Sequence, residues 1–220
     1  MTASVNDSAT EATSMSIADL VQYRYDMLLA QMASEVYGLK PGLSERELYS
    51  TLQKGNSFQD PAHPEDDTAR IGNQRFTDSQ ITDFKNTFTV VAVSSETSAA
   101  GDFAVLLQRI DGTGYVYAFR STQPASQQYN EQKIGAYEQD SANNLQMSTY
   151  GVGLSQLDGF DRFIQKTAPL LNGQPAACAG GSLSGQQCLA ITELHPEIFP
   201  ADGRPNVIIN PTGMAVFDDG

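Results

Sequence analysis

Cys178-Ala179-Gly180-Gly181-Ser182-Leu183-Ser184-Gly185 joins a run of small residues, Pro175 to Cys178, to the run from Leu183 to Leu194. The first reads as a short strand and the second as a helix, so the octapeptide is a strand-to-helix turn. Its layout is that of a nucleophile elbow. Ser182 sits at the centre of a sharp, strained bend, and the small residues two before and two after it, Gly180 and Ser184, with Gly185 next, let strand and helix approach closely. Such a bend lifts the serine Oγ out of the sheet. It also aims the Leu183 N–H, reinforced by the helix N-terminus, into a prospective oxyanion hole. Two other readings of the turn stay open: a phosphate held on helix N–H groups, and a plain tight connection. A Walker pattern is excluded by the missing lysine. Gly180, Ser182 and Gly185 do not supply the three glycines of a dinucleotide fingerprint.

Working outward, Ser155 to Leu171 reads as a helix before this turn and Asn206 to Ile209 as a buried strand after it. Strands alternating with helices predict βαβ units and a parallel sheet. Further upstream, Phe88 to Val93, Phe103 to Ile110 and Tyr115 to Phe119 are β-rich runs separated by turns, the second being Asp111-Gly112-Thr113-Gly114, which predicts an antiparallel meander. Ahead of these, apolar residues from Ile17 to Tyr37 recur at three- and four-residue spacings, with Ser16 as N-cap and Gly38 and Pro41 as stop signals. Ser44 and Glu47 are spaced as a capping box for a second helix to about Leu52, and Thr77 or Asp78 opens a third. Between them, Gly55 to Asn73 is polar, with Pro61, Pro64 and the acidic Glu65, Asp66 and Asp67, and reads as a long surface loop. Tyr23, Tyr25, Tyr37 and Tyr49 fall at helical spacings and are read as core. The expected organisation is a flexible tail over residues 1–15, N-terminal helices and a polar loop over 16–85 packed on the core, and an α/β core over 86–220 in which hairpin strands lead into a parallel sheet with flanking helices.

Charge narrows the function classes. The 220 residues carry 26 Asp and Glu against 13 Lys and Arg, a net charge of −13, which disfavours phosphate backbones and anionic head groups, and no basic run offsets it. No nucleic-acid partner is expected. Apolar stretches such as Phe103 to Leu107 fall far short of the ~18 residues of a membrane span. The first 15 residues lack the basic start and apolar middle of a signal peptide, so synthesis in the cytoplasm is expected. Cys178 and Cys188 are too few for a disulfide framework or a zinc site and are read as reduced core residues; no metal or cofactor is expected.

Gly180-Gly181-Ser182-Leu183-Ser184-Gly185 resembles the Gly-His-Ser-Leu-Gly-Gly elbow of class 3 lipases, a family of the α/β-hydrolase superfamily. Tyr117-Ala118-Phe119-Arg120-Ser121-Thr122 is similar to the strand-end Phe-Arg-Gly-Thr/Ser motif of that family, whose last hydroxyl residue, here Thr122, helps to form the oxyanion hole. Gly159-Phe160 resembles the Gly-Phe that opens the helix before the nucleophile strand. The likeness covers roughly residues 88 to 212, and the motifs occur in the family's order. It departs from the family pattern at Gly181 in place of His, Ser184 in place of Gly, and Ser121 in place of Gly, where the added Cβ makes Thr122 a less secure donor than the Leu183 N–H.

The resemblance implies an α/β-hydrolase-like fold, and a serine hydrolase cleaving carboxylic esters of lipids, a lipase or phospholipase, through Ser182. A serine hydroxyl needs an imidazole to take its proton and a carboxylate to orient that imidazole. The chain has two histidines. His63 lies in the polar loop, and His195, 13 residues along a helix from Ser182, ends nearly 20 Å away at ~1.5 Å per residue. Asp218 stands where the acid could come, an acidic surface end being the alternative, as it is for Asp219; Asp140 is a polar loop residue without an assigned role. The expectation is therefore the N-terminal part of a hydrolase core, nearly inactive alone, with base and acid supplied from beyond residue 220 by a C-terminal segment or second polypeptide. Analogy with exported antibacterial effectors adds an immunity protein as partner and a dedicated secretion system as route. A non-catalytic scaffold that binds a protein partner, and an acyltransferase or thioesterase on the same scaffold, remain alternatives.

Overall fold

A computed structural model of the chain describes residues 15–55, 58–59, 70–71, 75–94, 103–121, 146, 153–200 and 207–211. Helix α1 (Ile17–Ser34) starts where Ser16 accepts a hydrogen bond from the Asp19 N–H at 3.1 Å. It stops three residues before Tyr37 because its last turn tightens, Val36 N–H reaching the Ala33 carbonyl at 3.2 Å. Helices α2 (Glu45–Lys54) and α3 (Asp78–Thr87) each open on a complete capping box, Ser44 with Glu47 and Thr77 with Gln80. Inside the stretch expected to be loop, β1 (Phe58–Gln59) pairs antiparallel with β2 (Arg70–Ile71). Two residues are too few for an alternating pattern to show in sequence.

The main sheet has five strands in sequence order: β3 (Phe88–Val93), β4 (Ala104–Arg109), β5 (Tyr115–Phe119), β6 (Ala176–Ser182) and β7 (Val207–Pro211). The first three form the antiparallel meander, and β5, β6 and β7 are parallel. Helices α4 (Leu154–Thr167) and α5 (Leu183–Leu194) provide the crossovers. The protein is thus a mixed α/β fold. Gly159 and Phe160 lie inside α4 rather than at its opening, because Leu157, Phe160, Phe163 and Ile164 carry the helical spacing through the glycine.

Both faces of the sheet are covered, and strict alternation sorts the side chains between them. Val105, Leu107, Val116, Ala118, Ala177 and Ala179 face α1, α2 and α3 in a cluster with Met27, Leu29, Leu52, Ile81 and Phe84. Ala104, Leu106, Tyr117, Phe119 and Cys178 face the other way, against Phe160, Ile164 and Ile191. Full burial of each large side chain contributes about 1.5–3 kcal/mol. Phe119 stacks on Phe160 with ring centres 4.2 Å apart, and buried Tyr117 shares a 2.8 Å hydrogen bond with Thr167. A buried ion pair, Arg109 to Asp26 at 2.8 Å, ties β4 to α1. Of the four tyrosines, Tyr23 is core. Tyr25 and Tyr37 are half-buried, the Tyr25 phenol being pushed up to about 12 by burial and by the Asp83 carboxylate it donates to. Tyr49 is exposed and bonds Asp78.

The cysteines are buried, as expected, but they are not reduced: Cys178 on β6 and Cys188 on α5 form a disulfide, with Cα atoms 5.9 Å apart. The turn at Ser182 folds α5 back over its own strand, which brings together two residues ten apart in sequence. Closing so short a loop stabilises the fold by roughly 2.5–3 kcal/mol in the chain-entropy account. Reduction is therefore expected to lower the unfolding free energy by about 2–3 kcal/mol. Denatured but unreduced protein should show no thiol to a chromogenic disulfide reagent; two titrating thiols would refute the pairing.

Candidate functional site

Strand β6 ends at Ser182 and α5 begins at Leu183, so the strand-to-helix turn has no linker. It lies at the C-terminal edge of the parallel part of the sheet, where Phe119 at the end of β5 pairs with Gly180. That is the edge at which open α/β sheets bind ligands. The closeness of strand and helix is explicit at Gly180. A Cβ there would sit 2.7 Å from the Ser184 carbonyl carbon and 2.9 Å from the Gly185 nitrogen, and closer still to the Ser184 carbonyl oxygen.

Ser184 is fully buried, and its hydroxyl knits the turn together. It accepts the Gly181 N–H at 3.0 Å, and its proton reaches the carbonyl of Phe119 or of Gly181, each at 2.9 Å. The Ser184 side chain thus ties the turn to β5. Leu183, as the first residue of α5, carries one of the N–H groups for which a helix has no internal acceptor.

The exit of β5 is held from α1. Arg120 is buried between the rings of Phe103 and Tyr37, its guanidinium 3.8 and 4.7 Å from their centres, and donates to the carbonyls of Ser34 at 2.9 Å and Val36 at 3.3 Å. Ser121 donates both its N–H, at 2.8 Å, and its hydroxyl, at 2.6 Å, to one oxygen of Glu35. Burial raises the Glu35 pKa, while Arg120 and the Ser121 donors pull it down. Ser121 therefore has a structural partner in Glu35. Thr122 lies outside the described residues, as do His63, Asp140, Asp218 and Asp219.

His195 follows the end of α5, a 12-residue helix about 18 Å long. Its Nε2 meets Asp161 at 2.6 Å and its Nδ1 meets Glu197 at 3.2 Å. It is committed to the end of that helix remote from Ser182. Protein-family models, curated proteins and solved structures give no match to this chain. The likeness to class 3 lipases accordingly rests on the quoted sequence motifs alone.

Two grooves among the described residues lie elsewhere. One of about 490 Å³ runs between β3 and α4, past Val91, Phe163 and Lys166; another of about 380 Å³ lies between β3 and α2. Neither includes the elbow. Among the described residues no group of three or more His, Cys, Asp or Glu could hold a metal, and no helix is long and apolar enough to cross a membrane. Sequence reasoning missed Glu35, whose only local sign is Gln31 one helical turn earlier, a 3.0 Å donor to it.

Proposed function

We propose that the chain carries the nucleophile of a serine hydrolase on an α/β-hydrolase scaffold, acting on carboxylic esters of lipids. The observation that carries this reading is the elbow. Gly180 and Ser184 stand in backbone contact on either side of Ser182, at the ligand-binding edge of a parallel sheet. In the mechanism, Ser182 Oγ attacks the acyl carbonyl and the Leu183 N–H and Thr122 stabilise the oxyanion. The ester's alcohol leaves with the proton that the base took from Ser182, and a water then releases the acyl group as its acid and restores the serine hydroxyl. The general base comes from outside the described residues, since His195 is engaged with Asp161 and Glu197. That engagement also favours a second reading, a scaffold without catalysis that binds a protein partner.

Fluorophosphonate labelling of the protein separates the two. Peptide mapping should place the probe on Ser182; no labelling under conditions where the protein is folded selects the scaffold reading. Thr122→Val is expected to lower kcat by ~10–1000-fold with KM little changed, as when an oxyanion donor is lost. An equal loss from an exposed threonine such as Thr113 would remove Thr122 from the site.

A further inference from the structure

Glu35 is a buried carboxylate, 5% exposed, for which the chemistry assigned to Ser182 has no use. Desolvating a carboxylate is costly, and the cost is offset only by opposite charge and hydrogen bonds at the site. Docking α1 on the sheet does not need Glu35, because Arg120 already holds the carbonyls of Ser34 and Val36 from between two aromatic rings. What Glu35 adds is aimed at Ser121. Both donors of that residue and the Gln31 amide converge on one carboxylate oxygen, which fixes the serine's backbone and its rotamer together. Two residues back, the Phe119 carbonyl lies 2.9 Å from the Ser184 hydroxyl, and the Gly181 N–H ends on that same hydroxyl. A continuous path of hydrogen bonds and short covalent steps thus runs from α1, through the end of β5, into the residue before Ser182.

We propose that Glu35 is a positioning residue that, through Ser121, sets the exit of β5 against the Ser182 elbow so that the donors of both strands converge on one acyl oxygen. This rests on the reading of Ser182 as a nucleophile. The charged group facing Glu35 among the described residues is Arg120; Asp26 on α1 and Arg109 on β4 neutralise each other. Ionised Glu35 grips Ser121 with charge-assisted hydrogen bonds, and protonated Glu35 keeps only a weaker neutral acceptor. Its effects on stability and on alignment then have opposite signs. Burial raises the folded-state pKa, so the contribution of Glu35 to stability is full below its ordinary pKa and is lost as pH rises through the raised value. Alignment improves over the same rise.

The test uses Glu35→Gln and Ser121→Ala in the full gene product. Glu35→Gln should be at least as stable as wild type at neutral pH, yet its kcat on a soluble ester should be ~10-fold lower with KM within about twofold, the signature of lost alignment rather than lost binding. The wild-type to Glu35→Gln ratio of kcat should approach one on the acid side and grow as pH rises, and Ser121→Ala should lower kcat in the same direction. Amide exchange at Ser121 and Gly181 should quicken in both variants. Unchanged kcat with unchanged exchange overturns the proposal, and so does a fall in kcat matched by a fall in melting temperature. If instead Ser182→Ala hydrolyses the ester as fast as wild type, the nucleophile reading fails, and exchange at Gly181 decides whether Glu35 reaches the elbow.

Discussion

Ser182→Ala in the full gene product is expected to lower kcat for ester hydrolysis by about 10⁴–10⁶-fold while leaving KM and melting temperature near wild type, the range seen when the nucleophile of a serine hydrolase is removed. A residue of catalysis should persist, because the Leu183 N–H at the start of α5 is untouched and still offers a donor to the oxyanion. Ser184→Ala is the informative partner. Its hydroxyl is buried and occupied by Gly181 and Phe119, so its loss should cost about 1–2 kcal/mol of stability and leave fluorophosphonate labelling in place. A Ser182→Ala protein within tenfold of wild type would dismiss Ser182 as nucleophile.

Gly180→Ala should destabilise the fold by about 3 kcal/mol or more, near or beyond the upper end for an overpacked site. The added methyl meets backbone atoms of Ser184 and Gly185, which cannot swing aside as a flexible side chain would. These atoms belong to α5, itself fastened to β6 by the disulfide, so the helix cannot retreat without disturbing its cross-link. Gly42→Ala is the control. At Gly42 the backbone is left-handed, with φ +74, but nothing lies within 4 Å of an added Cβ, so only conformational strain of about 1–2 kcal/mol applies. Urea unfolding of both variants gives the comparison; a Gly180→Ala loss no larger than that of Gly42→Ala would mean that strand and helix are not in contact there.

What the sequence made legible was local. Capping residues such as Ser16, Ser44 and Thr77 report on a single turn of chain, and each marks the helix start it predicts. The alternating runs around Asp111-Gly112-Thr113-Gly114 gave the meander; Gly114 is required there, with φ +128 and a Cβ position only 2.8 Å from the Pro175 carbonyl oxygen. The elbow was legible for the same reason: its small residues satisfy a contact four positions away. What escaped was set by partners distant in sequence. Glu35 meets Ser121 across 86 residues, and no spacing rule joins a helix terminus to a strand end. The cysteine pair escaped differently: a count of two argued against a disulfide framework, whereas the turn between them supplies the geometry for a single bridge.

The parallel pairing of β5 with β6 orders the folding of the molecule. The capped helices and the β4–β5 hairpin close over short loops, but Phe119 meets Gly180 across most of the crossover that contains α4. Long loops close late, because their entropy must be surrendered before any contact repays it. The Ser184 tie to Phe119, and with it the setting of the elbow beside the end of β5, depends on that late pairing. A refolding chain should therefore recover most of its far-ultraviolet helical signal before it recovers a serine that reacts with a fluorophosphonate, and the interval between the two signals measures the docking of β6 on β5.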